Sequence, residues 1–131
     1  MTVGLSTTNV ANGWLNTLRA GSNFTAIATP FVKLHTGDPG SAGATAAAAG
    51  STTRVAVTQS AASGGSIAIS GTNPSWTNGG TSETISHISV WDASTSGNFL
   101  YSAALTASQA WVSGNTFTLT GLTVSLTPLA A

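Results

Sequence analysis

The chain has 131 residues, and only 5% of them are charged, against about 25% in an ordinary soluble domain. Three basic residues (Arg19, Lys33, Arg54) balance three acidic ones (Asp38, Glu83, Asp92), and cysteine is absent. These figures exclude a basic nucleic-acid patch, a cationic membrane-surface helix, disulfides and thiolate metal sites, and no apolar run is long enough to insert in a membrane.

The length suits one domain over residues 1–131 with a sizeable core. The 40 Ser and Thr residues must supply most of its polar surface. A near-zero net charge protects poorly against self-association, which suits a homo-oligomer covered by neighbours in an assembly, or a protein working outside cells. The N-terminus lacks the basic start and apolar run of a signal peptide. Synthesis in a cytosol and, if the protein acts outside, release by cell lysis is the expected route.

In chain order, residues 9–20 are the one convincing helix. Asn9 is placed to cap it, Val10, Trp14 and Leu18 recur at i, i+4 and i+8, and Gly21 can close it. Gly13 weakens its interior, so packing must hold it. The expected role is to plug an end or face of a sheet, with the exposed remainder free for assembly. Residues 24–28 read as a short strand, and residues 31–35 as a better one with Val32 and Leu34 on one face. Asp38-Pro39-Gly40 then turns the chain. Residues 40–52 are a low-complexity Ala/Gly/Ser/Thr loop, read as a variable surface segment.

Residues 54–58 and 66–70 look like a hairpin, and 74–77 read as an edge strand, where Pro74 is tolerated. Residues 84–92 carry the clearest strand pattern, with Ile88 and Val90 on one face and Ile85, His87 and Trp91 on the other. A turn-forming cluster separates this strand from 99–105, giving a central antiparallel hairpin. Strands at 110–112, 115–119 and 122–127 complete the count. The whole is mainly β, an antiparallel β-sandwich (jelly-roll-like) of about eight short strands with one N-terminal helix.

Groups capable of catalysis are few. His35, Asp38, His87 and Asp92 show no paired-ligand spacing such as HExxH. There is no G-x-S-x-G nucleophile elbow and no Gly-rich phosphate loop with Lys. Glu83 and Asp92, the acids near the central strand, do not form a convincing glycosidase pair. His87 is expected to hydrogen-bond a cross-strand Ser or Thr. The expectation is a protein that is not an enzyme and has no cofactor or metal. Aromatics remain: Trp14, Trp76 and Trp111 are the candidate interface or glycan contacts, although core packing is the commoner role for such residues.

Several segments carry a resemblance: Leu34-His35-Thr36-Gly37-Asp38-Pro39-Gly40, Thr53-Arg54-Val55-Ala56-Val57, residues 85–93, residues 97–105, Gly114-Asn115-Thr116-Phe117 and Leu122-Thr123-Val124-Ser125-Leu126. In this order they resemble small tailed-bacteriophage structural proteins of the minor tail or tail-fibre type, commonest in phages of actinobacteria. The resemblance implies a non-enzymatic virion component whose partners are other virion proteins, of tail or capsid. Two alternatives stay open: a capsid decoration protein on the outer head surface, and a glycan-binding module that adheres to a host surface.

Overall fold

The computed structural model describes residues 3–19, 21, 24–127 and 130. Eight strands follow one helical segment: β1 Phe31–His35, β2 Val55–Ala56, β3 Ser66–Ala68, β4 Ser75–Thr77, β5 Glu83–Trp91, β6 Phe99–Trp111, β7 Thr116–Thr118 and β8 Thr123–Ser125. Strands β2-β1-β5-β6 form an antiparallel sheet in that order, and two antiparallel ribbons, β3–β8 and β4–β7, make up the opposing layer. The fold is an antiparallel β-sandwich. Val32, Leu34, Ile85, Ile88 and Val90 from the sheet share one core with Trp76, Phe117, Leu119 and Leu122 from the ribbon side.

The central hairpin forms as its pattern predicts, with Trp91 opposite Phe99 and seven residues, 92–98, between the strands. Its strand phase does not. Ile85 joins Ile88 and Val90 in the core instead of pointing the other way. The reason is an irregularity in the ladder: Ile85 pairs with Gln109, but His87 pairs with Ala104. Ser86 therefore faces four residues, 105–108, and the break lets both ends of β5 bury their branched side chains on one side. The strands read separately as 99–105 and 110–112 are one element, β6.

Other pairings differ too. Residues 24–28 form no strand. β2 pairs with β1, and β3 pairs with β8 across the chain. The expected hairpin survives only beyond β2, where Ser60 donates to the Ala68 carbonyl, Ser70 to the Thr58 carbonyl, and Ser63 and Ser66 bond each other.

The helical segment begins earlier than its apolar spacing suggests. Thr7–Ala11 is a π-helical turn that runs into α1, Asn12–Leu18. Ser6 is the cap, its hydroxyl accepting from the Asn9 N–H at 3.2 Å. Asn9, expected as the cap, instead donates its side-chain amide to the Phe99 carbonyl at 2.9 Å and so ties the helix to β6. Residues 4–6 support this by bonding the free edge of β6: Ser6 N–H reaches the Leu100 carbonyl, and Ser102 N–H reaches that of Gly4. Gly13 has a purpose in this arrangement. A Cβ there would stand 2.6 Å from the Phe24 ring, which packs edge-on to Trp14 at 5.9 Å.

Candidate interaction surfaces

The sheet's second face carries Phe31, Lys33 and His35 of β1 opposite Trp91, Ser89 and His87 of β5. His35 is fully buried there. Its Nδ1 lies 2.7 Å from the Thr45 carbonyl, which can only accept, so Nδ1 carries the proton. Nε2 then accepts from the Ser89 hydroxyl at 2.7 Å, and Ser89 Oγ accepts from the Trp91 indole at 2.8 Å. Burial holds the His35 pKa below its ordinary value, and nearby Lys33 and His87 push the same way; the Thr45 bond opposes them. The cross-strand Ser–His bond expected of His87 thus belongs to His35. His87 pairs with the neighbouring Ser86 hydroxyl at 2.8 Å.

The partner of His35 lies on the alanine-rich segment, which is a strap over this face. Residues 46–48 pair along the β1 edge, with Thr36 N–H to the Ala46 carbonyl and Ala48 N–H to that of Leu34. Gly43 lies so close to Phe99 that any Cβ would collide with the ring, and its φ is +70°. The Glu83 carboxylate closes the strap by accepting from Ala49 N–H at 3.1 Å and Gly50 N–H at 2.7 Å. Arg54 seals the other corner. Its guanidinium sits 3.7 Å from the Trp91 ring centre and donates to the carbonyls of Ala93 and Ser96.

These polar side chains are held by internal bonds. Among the described residues, every buried side-chain nitrogen or oxygen has a partner, and no three His, Asp or Glu side chains group as metal ligands would. His35 and Asp38 do not meet: Asp38 accepts from Gly40 N–H at 2.8 Å. Asp92 accepts from the backbone and side chain of Asn98 at 2.7 and 2.8 Å. No described helix is long and apolar enough to cross a membrane.

The candidate tryptophans divide. Trp76 and Trp111 are 3% and 2% exposed, and both indole N–H groups bond carbonyls, of Thr53 and Asn115 respectively, at 2.9 Å. Neither presents a ring face to a sugar or a neighbour. Trp14 is half-buried and lines a cleft of 430 Å³ beneath α1. That cleft, also lined by Leu100 and Tyr101 of β6, was not legible in the sequence, because it is made by residues spread from position 5 to 124. Farther along the same helix, Leu18 on the Trp14 stripe and Leu15 on its flank are 84% and 61% exposed.

A family model described as podophage GP4 fiber I protein gp80 matches residues 4–127. The chain belongs to this fiber protein family. The match covers α1 and all eight strands, and it bears out the phage tail-fibre resemblance of the short motifs. The fiber I family places this sandwich among phage virion structural proteins, with other virion components as its associates. A comparison with curated proteins finds no match.

Proposed function

We propose that this fiber-family chain is a non-enzymatic building block of a phage fibre, that it works by assembly, and that copies of the chain meet through the uncovered leucines of α1. The observation that carries this reading is the helix itself, whose apolar stripe is only partly covered. Val10 and Trp14 turn toward the sandwich, while Leu15 and Leu18 stand in solvent. The apolar stripe of a surface helix is ordinarily covered along its length, yet in α1 the cover stops short of Leu15 and Leu18, and Asn12–Leu18 holds no charged residue. The consumption of His35, Asp38, Glu83 and Asp92 in internal hydrogen bonds supports a structural role over a catalytic one.

Sedimentation equilibrium of the wild type and of a Leu15→Ser/Leu18→Ser double variant tests this. The wild type is expected to form a discrete oligomer and the variant to dissociate at least tenfold more readily. A monomeric wild type, or a variant that assembles equally well, would overturn the reading.

A further inference from the structure

We infer that the cleft beneath α1 is a binding site for an uncharged fatty-acyl ester, with the alkyl chain along the apolar wall and the ester carbonyl hydrogen-bonded to Tyr101. This goes beyond the assembly reading and does not depend on it.

The cleft's 430 Å³ falls within the range of small-molecule sites, about 300–1,000 Å³. Its wall is built from Val10, Trp14, Val57, Ile67, Leu100 and Val124, and none of the residues lining it is charged. A carboxylate or ammonium entering there would lose hydration without gaining a counter-charge. A sugar fits no better, since most of its hydroxyls would face hydrocarbon. An alkyl chain suits the wall.

Of the polar side chains in the lining, Thr29, Thr58 and Ser60 are exposed and Gln59 is half-buried, so the buried Tyr101 sets what the ligand carries at its end. Tyr101 Oη accepts from Gln59 Nε2 at 3.1 Å, and among the described residues no acceptor takes the phenol's own proton. Burial pushes the Tyr101 pKa up, outweighing the Gln59 bond, so the group stays a neutral donor. A donor without an acceptor in an apolar cleft is matched by a group that only accepts. An ester carbonyl does this while adding no charge and no proton of its own.

The test is displacement of a neutral dye, N-phenyl-1-naphthylamine, by methyl decanoate from the full chain, with decanoate as the charged comparison. Single-site, saturable displacement by the ester is expected, with the carboxylate at least tenfold weaker. Tyr101→Phe should weaken the ester about threefold to tenfold and the dye, which has no carbonyl, by less. Ala28→Trp, at an exposed position on the cleft's lining, should abolish dye and ester binding alike, with circular dichroism reporting its fold. No saturable binding to the wild type, or wild-type binding by a folded Ala28→Trp variant, would overturn the site. An ester affinity untouched by Tyr101→Phe would overturn the carbonyl contact. Sedimentation of the same samples reports assembly separately, so the two readings can fail independently.

Discussion

The two faces of the four-stranded sheet are covered in different ways. On one, Val32, Leu34, Ile85, Ile88 and Val90 meet Trp76, Phe117 and Leu122 in close apolar packing. On the other, a strap of Ala, Gly, Ser and Thr lies over Phe99, His35 and Ser89 and is fixed by directed hydrogen bonds. Large side chains hold the first covering through area removed from water. Small ones hold the second because they let the backbone come close enough to bond. A sequence poor in charge can thus bury both faces of one sheet, provided each buried polar group on the strap side finds its partner.

The largest expected effect lies on the apolar side. Trp111→Ala removes a side chain packed against Phe117 at 6.5 Å between ring centres and leaves the Asn115 carbonyl without its indole donor. Urea unfolding should show a loss of about 3–5 kcal/mol; a loss under 1 kcal/mol would mean that this layer does not carry the fold.

Gly43→Ala attacks the strap instead. It puts a Cβ into the Phe99 ring at a backbone φ that L residues avoid, and should cost about 1–3 kcal/mol. The distinguishing readout is hydrogen exchange. The strap amides of Thr45 and Ala48 should exchange faster than the β5 amides, whereas uniform acceleration would show that the two coverings unfold as one.

The smallest effect is on pH. The folded-state pKa of His35 is lowered by burial, so its neutral form is favoured in the folded chain. Stability from this group is complete above the ordinary histidine value, about 6.5, and is lost as pH falls below it toward the depressed folded value. The slope should not exceed about 1.4 kcal/mol per pH unit and should disappear in His35→Gln. Unfolding midpoints measured at several pH values in both proteins decide this; a slope that survives the substitution would assign the pH dependence elsewhere.

The apolar side was the legible one. Alternation in 31–35, 85–91 and 115–126 marks the strands, and the turn cluster after Trp91 marks the central hairpin, because burial on one face imposes a period of two. What alternation cannot show is where the period breaks. Nothing at Ser86 announces that four residues of β6 will face it, and so Ile85 was expected on the wrong side. The strap was illegible for a related reason: an Ala/Gly/Ser/Thr run reads as a loose loop until His35, Glu83 and Phe99 are near it. Two of the three candidate tryptophans are core residues, as the commoner role of such side chains implies. Trp14 lies in the cleft wall, but Tyr101 and Gln59 reach that cleft from segments that no local pattern connects.

The pairing of β3 with β8 sets a timetable for synthesis. Ser66 bonds across to Ser125, and Ala68 pairs with Thr123. After Ala68 is made, the ribosome must add every residue to Ser125 before that ribbon can close. At about 5–20 residues per second this takes roughly three to eleven seconds. During that interval Ile67 and Ile69 lack their native cover, so the gap between making β3 and making β8 is when this sandwich is most exposed to misassembly.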